Sequence, residues 1–218
     1  MSKTLYKLLK RFFDILLSSF LLLFLTPLFL IVAILIYFSD KGSIFVKEPL
    51  RLGLNGREFR MFKFRTMIPN GHMELLTNPS YKILKQKWMR NGNKLRIDED
   101  IRITRIGKIL RRTDIDELPQ LLNVFLGQMS LVGPRPSYNN EVIEHLKKYP
   151  EDSKYLDAIW GILPGITGIW QVSGRNEISL HKRLIMEAEY SKDLNFLTDI
   201  IILLKTPFVV FNRKGAYE

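Results

Sequence analysis

Residues 15–39 read ILLSSFLLLFLTPLFLIVAILIYFS, 25 positions without a single Asp, Glu, Lys or Arg. Twenty of the 25 are apolar, the exceptions being Ser18, Ser19, Thr26, Pro27 and Ser39. A run this long and uncharged reads as membrane-inserted, because it offers no polar face to water. As a straight helix it would be about 37 Å long, enough to cross a hydrocarbon core of about 30 Å. A cleaved signal peptide fits poorly: the run is too long for an h-region and no A-x-A-like site follows it.

Two features argue against a simple crossing. Thr26-Pro27 sits near the middle of the run. Proline lacks an amide donor and clashes with the preceding turn, so a kink is expected there, with the Thr hydroxyl placed to help satisfy the freed carbonyl. The second feature is charge. Lys3, Lys7, Lys10 and Arg11 precede the run; Lys41, Lys47, Arg51 and Arg57 follow it. A spanning helix shows an asymmetry of basic residues, and these flanks show none. A re-entrant helix, bent at Pro27 with both ends on the cytoplasmic side, is therefore favoured over a kinked span.

Outward from this segment the chain changes character. It has 218 residues, with 33 Lys and Arg against 22 Asp and Glu, a formal charge of +11. Its mean hydropathy of −0.00 averages one apolar segment with a basic body. Such a body beside a membrane element also adheres to anionic lipid. Zero Cys excludes disulfides, thiolate metal sites, a Cys nucleophile and S-acylation of this chain. The expected organisation is residues 1–40 as the re-entrant membrane helix and 41–218 as a cytosolic-face domain, the candidate for any catalytic role. Its fold class is α+β and mainly helical, a monotopic membrane protein with a β-hairpin and membrane-surface helices.

Within the body, residues 44–52 and 57–66 read as strands joined by Gly53-Leu54-Asn55-Gly56, since Asn-Gly is the strongest short hairpin signal. Helices are expected over 73–89, 102–112, 113–125, 142–149 and 180–194, and a Gly-rich loop with a short strand over 161–175. Residues 196–211 are apolar but interrupted by Asp199, Lys205 and Pro207, which suits a buried or membrane-surface helix.

The chemistry concentrates around Arg111-Arg112-Thr113-Asp114-Ile115-Asp116-Glu117-Leu118-Pro119-Gln120. Pro119 is accommodated in a first helical turn, which places Asp116 and Glu117 at or just before a helix N-terminus, where ionised carboxylates are favoured. Alone, this window reads first as a capping box, Thr113 with Asp116 or Asp114 with Glu117. Three further cationic stretches shift the balance. Lys63 and Arg65 are two apart on an expected strand and so share a face. Arg135 stands between Pro134 and Pro136, and Arg175 follows Gly174. Each alone reads as an ordinary surface charge; together with two adjacent carboxylates they resemble a phosphoryl-transfer site. His72, His145 and His181 show no metal-ligand spacing and read as solvated helix residues. No G-x-G-x-x-G, P-loop or G-x-S-x-G occurs.

These stretches, in order, resemble the small monotopic phosphoglycosyl transferases, also called bacterial sugar transferases or polyprenyl-phosphate hexose-1-phosphate transferases. The resemblance is carried by Lys10-Arg11-Phe12-Phe13-Asp14, Lys63-Phe64-Arg65-Thr66-Met67, Asp100 to Gly107, Asp116-Glu117-Leu118-Pro119-Gln120-Leu121-Leu122-Asn123-Val124, Met129 to Pro136, Pro164 to Arg175 and the closing Gly215-Ala216-Tyr217. It implies transfer of a hexose-1-phosphate from a UDP-sugar to undecaprenyl phosphate with release of UMP, the first step of an exopolysaccharide, capsule, O-antigen or glycoprotein glycan. By the same carry-over Asp116 is the nucleophile that forms a covalent phosphosugar intermediate. Glu117 helps hold Mg²⁺. Lys63, Arg65, Arg111, Arg135 and Arg175 contact phosphate or uridine diphosphate, and Thr26-Pro27 is the membrane bend. The expected place is the cytoplasmic face of the bacterial inner membrane, with no nucleic-acid partner; a homodimer is left open.

Asp114-Ile115 stands where the family commonly has Ser-Leu, which adds a third acid near the site. Larger members carry a further multi-helix N-terminal region, so this chain is expected to correspond to the catalytic core alone. The wording of Ile169 to Arg175 is closer to the branch handling galactose or glucose than to the diacetamido-sugar branch; an N-acetylated or diacetamido sugar is the alternative. A reading from another class, a membrane-tethered basic binding protein, follows from the +11 charge alone. It predicts steep salt dependence and no need for Asp116.

Overall fold

The computed structural model describes residues 2–46, 50–91 and 95–212. Lys47, the middle of the first expected strand, and the closing Gly215-Ala216-Tyr217 lie outside the described residues. In chain order the elements are helix α1 (Lys3–Asp40), strands β1 (Arg51–Leu52) and β2 (Glu58–Phe59), and helices α2 (Gly71–Thr77), α3 (Lys82–Arg90), α4 (Arg105–Arg112) and α5 (Gln120–Phe125). There follow strand β3 (Ser130–Val132), helices α6 (Asn139–Lys148) and α7 (Ser153–Trp160), strand β4 (Gly165–Thr167), and helices α8 (Ile169–Ser173), α9 (Leu180–Lys192) and α10 (Phe196–Phe211). The protein is mainly helical with two small sheets, an α+β fold that includes one long apolar helix.

The helical backbone of α1 runs without a break through Pro27. Among the described residues it is the one helix long and apolar enough to cross a membrane, and little of it is buried inside protein. Phe20, Leu23, Phe24, Leu30 and Phe38 are all more than half exposed. The hydroxyl of Thr26 donates to the carbonyl of Leu22 at 2.8 Å. It thus serves the turn before the one expected: proline deprives the carbonyl of Leu23 of its donor, and Thr26 reaches the residue ahead of it.

The chain forms two compact units. The first comprises residues 2–26, 50–62 and 119–212. Its larger core joins Phe59, Leu121, Val124, Met129, Val132 and Ile202, against which Leu21, Leu22 and Leu25 of α1 also pack. The parallel pair β3–β4, with Ser130 opposite Gly165 and Val132 opposite Thr167, lies within it. A second cluster joins α7 and α9 through Leu156, Ile159, Leu184 and Ala188. Four residues of α1 make polar contacts within this unit, among them Arg11, whose guanidinium donates to the carbonyls of Val124 at 2.7 Å and Phe125 at 3.0 Å. Asp14 accepts from the amide of Leu131 at 3.0 Å, and Tyr6 and Lys10 reach Asp199 at 2.6 and 2.7 Å. Asp199 and Ile202 face inward on α10, whereas Leu197, Ile200, Leu204, Phe208 and Phe211 form an exposed apolar stripe at helical spacing. The second unit comprises residues 27–46, 63–91 and 95–118, with a core of Val32, Ile36, Phe64 and Leu110.

Several local expectations are corrected. The hairpin forms at Asn55-Gly56, whose φ values of 55° and 69° are the left-handed pair that such a turn needs. Its strands, however, are only two residues each. Phe45 and Phe64 meet only in an isolated bridge, and the amide of Phe64 on the other side donates to the carbonyl of Asp116. The helix expected over 73–89 splits at Asn78-Pro79, where proline has no N–H to continue α2. Helix α7 is not among the expected helices, since its eight residues make only about two turns of the helical pattern. Nor are all three histidines solvated: His145 and His181 both bond the fully buried carboxylate of Asp152, each at 2.7 Å, and the His145 side chain is 8% exposed. These contacts hold the Asp152 pKa below the ordinary carboxylate range although burial opposes them.

Candidate active site

The acidic pair lies in the second unit, in a single 3₁₀ turn over Ile115–Glu117. Asp114 enters this turn in the left-handed region at φ 53° and makes no side-chain cap; the Thr113 hydroxyl bonds back to Ile109 and Leu110. The capping-box reading is therefore corrected. Asp116 and Glu117 do lie just before a helix, but α5 begins only at Gln120 and is six residues long. The environment of Asp116 is set by burial and by a cation instead.

Asp116 is 2% exposed. Nζ of Lys63 lies 2.9 Å from its Oδ2 and 3.0 Å from Oε1 of Glu117, so one ammonium bridges both carboxylates. Burial is the largest influence on Asp116 and raises its pKa; Glu117 adds to this, while Lys63 and Arg111 pull it down without cancelling it. For Lys63, burial favours the neutral amine, but the two carboxylates outweigh it and the pKa lies above the ordinary lysine value. The ammonium of Lys63 thus opposes the burial that favours a protonated Asp116, and the two carboxylates favour the charged form of Lys63.

Helix α4 delivers Arg111. Thr104 caps α4 by accepting from the amide of Gly107 at 2.9 Å. Gly107 lies so close to the 63–67 segment that a Cβ there would fall 1.9 Å from the carbonyl oxygen of Thr66. This approach lets Nε of Arg111 donate to the Thr66 hydroxyl at 2.8 Å. Arg65 is in the same unit, but its guanidinium is engaged by Asp40, Ser43 and Met67.

The other two expected contacts belong to the first unit. Arg135 donates its amide to Glu187 at 2.8 Å, its guanidinium lies 5.0 Å from the ring centre of Trp170, and it lines a pocket with Leu52, Pro134, Ser137, Trp160 and Leu184. Arg175 stands in a 3₁₀ turn at φ 51°. Sequence reasoning missed the polar knot beneath Arg135. Arg183 meets Glu187 at 3.3 Å and also reaches Ser137, and Glu187 is buried, which raises its pKa despite Arg183. The i,i+4 spacing on α9 was the available signal.

The donor set for a divalent cation can be judged from these side chains. No group of three or more His, Cys, Asp or Glu positioned for a metal occurs among the described residues. Asp116 and Glu117 nevertheless offer hard carboxylate oxygens, and Oδ2 of Asp116, though beside the ammonium, receives no well-directed hydrogen bond. Mg²⁺ is commonly held by one or two carboxylates, with substrate phosphates and water completing the shell, and this pair fits that pattern.

A model of the bacterial sugar transferase family matches residues 5–213. The chain belongs to that family. It is an enzyme, a phosphoglycosyl transferase. The exopolysaccharide production protein ExoY of Sinorhizobium fredii is 41% identical over 213 residues, which cover 95% of this chain and 88% of that protein. The undecaprenyl-phosphate galactose phosphotransferase of Salmonella typhimurium is 38% identical over 212 residues, 96% of this chain but 42% of that protein. The UDP-glucose:undecaprenyl-phosphate glucose-1-phosphate transferase of Klebsiella pneumoniae is 33% identical over 213 residues, 95% of this chain and 41% of that protein. The chain thus spans less than half of the two longer relatives.

Proposed function

We propose that this bacterial sugar transferase moves hexose-1-phosphate from a UDP-sugar to undecaprenyl phosphate through a covalent intermediate on Asp116. The observation that carries the reading is the buried Asp116 carboxylate with Lys63 2.9 Å away, in a chain of this family. In the first step an Asp116 oxygen attacks the phosphorus that bears the sugar. The bond from that phosphorus to the bridging oxygen breaks, and UMP leaves with the electron pair. In the second step an oxygen of undecaprenyl phosphate attacks the same phosphorus, releasing the Asp116 carboxylate and the lipid diphosphosugar.

Lys63 favours the ionised form of Asp116 against burial and offsets its repulsion from the anionic diphosphate, and Arg111 adds positive charge. Arg135 and Arg175 are proposed as further contacts for the uridine diphosphate. Glu117, with Asp116, would hold Mg²⁺, which when bound neutralises charge on the diphosphate oxygens. The acceptor is confined to the bilayer, so a membrane-anchored enzyme meets it at a high effective concentration. We place the protein on the cytoplasmic face of the inner membrane, with α1 re-entrant at Thr26-Pro27. The names of the relatives from Salmonella and Klebsiella support galactose or glucose as the sugar.

The test is UMP release from a panel of UDP-sugars with undecaprenyl phosphate and Mg²⁺. UDP-galactose or UDP-glucose is expected to be the best donor; preference for an N-acetylated or diacetamido donor would replace the sugar assignment. Asp116→Asn is expected to lower turnover by about a thousandfold or more. Full turnover in that variant would remove the nucleophile assignment.

A further inference from the structure

The segment that carries Lys63 is held on both sides by backbone bonds. The amide of Val46 donates to the carbonyl of Lys63 at 2.9 Å, and the amide of Arg65 donates to that of Ile44 at 2.8 Å. On the other side the amide of Phe64 donates to the carbonyl of Asp116 at 2.9 Å. Phe64 itself is 1% exposed and packs with Val32, Ile36 and Leu110. Its neighbours Lys63 and Arg65 fall on one face by alternation, yet they do different things. Lys63 meets the two carboxylates. Arg65 turns to the end of the membrane helix.

That turn is a bidentate pair. Nη1 of Arg65 donates to Oδ2 of Asp40 at 2.6 Å, and Nη2 donates to Oδ1. Nε donates to the carbonyl of Ser43, and Nη1 also reaches that of Met67 at 3.0 Å. Arg65 is 8% exposed, so neither solvent nor salt screens these bonds well. Asp40 is the last residue of α1; after it Lys41 takes a left-handed φ of 53°, and the amide of Gly42 donates to Oδ1 of Asp40 at 3.1 Å. A Cβ on Gly42 would lie 2.7 Å from Nη2 of Arg65, so the guanidinium packs directly on this joint.

We infer that Arg65 and Asp40 are positioning residues: their pair ties the end of the membrane helix to the segment that carries Lys63, and through the Phe64–Asp116 bond it sets the nucleophile in place. The inference rests on the transferase reading for its kinetic consequence, but the tie can be measured without turnover. Small displacements of a reacting group cost rate steeply, whereas substrate binding by other residues is left intact.

The experiment uses the full chain in lipid nanodiscs. Asp40→Asn is expected to lower kcat about tenfold with the KM for the UDP-sugar changed less than about twofold. Asp40→Glu, which keeps the carboxylate, is expected to recover more than about half of kcat. Arg65→Lys keeps the charge without the fork and is expected to show the same kcat-selective loss. Hydrogen exchange at the Phe64 amide is expected to quicken in Asp40→Asn by about fivefold or more, with the Leu131 amide of the other unit unchanged as the folding control. An unchanged kcat in Asp40→Asn, or a loss in Arg65→Lys confined to KM, would overturn the inference and make Arg65 a substrate contact. Unchanged exchange at Phe64 would overturn it whatever the turnover. Absence of UMP release by the unmutated chain would instead overturn the transferase reading, and the exchange measurement would still decide the tie.

Discussion

The amide of Phe64 donates to the carbonyl oxygen of Asp116 at 2.9 Å, which sets the Lys63 side chain beside the carboxylates of Asp116 and Glu117. Two motifs 53 positions apart (116 − 63) are thereby joined by backbone, and the ion pair above them has one geometry.

The pH profile follows from that pair. A nucleophilic Asp116 must be ionised, so activity rises as pH passes its pKa. Burial puts that pKa above the ordinary aspartate value of about 4. The acid limb of kcat/KM for UMP release is therefore expected above pH 4. Lys63→Met removes a downward pull and should move the limb further up, along with lowering kcat. A limb that stays in place in Lys63→Met would show that the ammonium does not govern the ionisation of Asp116.

Gly107→Ala should loosen the second unit. The new Cβ would lie 1.9 Å from the carbonyl oxygen of Thr66, a backbone atom that cannot swing aside. Overpacking of this kind costs about 1–3 kcal/mol. The displaced α4 would also draw Arg111 from Thr66. Thermal unfolding followed by circular dichroism should show the loss, at about 2–4 °C per kcal/mol for a chain of this size. An unshifted Tm would mean that α4 can move away without loss of packing.

Asn123 organises the first unit. It is fully buried; Oδ1 accepts from the amide of Phe62 at 2.8 Å, and Nδ2 donates to the carbonyl of Arg60 and to Gln128, both at 2.7 Å. Asn123→Leu leaves the amide of Phe62 and the two acceptors on Arg60 and Gln128 without this partner, at a cost of about 1–3 kcal/mol. Asn123→Asp retains the bond from Phe62 but cannot donate, and should also destabilise. Chemical denaturation would measure both variants, and wild-type stability in either would contradict this role.

The topology of α1 can be read on the native background, because the chain has no Cys. Leu5 and Leu50 are both more than one-third exposed. Leu5→Cys and Leu50→Cys should react with a membrane-impermeant maleimide from the same side of sealed vesicles. Labelling from opposite sides would establish a spanning helix.

The sequence by itself determined the apolar helix, the Asn55-Gly56 turn, the order of the motifs and the family they belong to. These depend on the composition of short stretches, on local backbone preferences and on residue spacing, all of which are written along the chain. It also grouped Lys63, Arg65, Arg135 and Arg175 with Asp116 and Glu117, the family resemblance adding Arg111; of these, the structure brings Lys63 and Arg111 to the acidic pair within the second unit. The tertiary structure alone decided that burial and an ammonium define Asp116, that Arg65 grips Asp40, that His145 and His181 share Asp152, and that Asn123 stitches Arg60, Phe62 and Gln128 together. A long polar side chain has many partners within reach in the unfolded chain. Which one it keeps depends on which distant segments the cores of Phe64 and of Val124 bring against each other within each unit, and no local pattern encodes that choice.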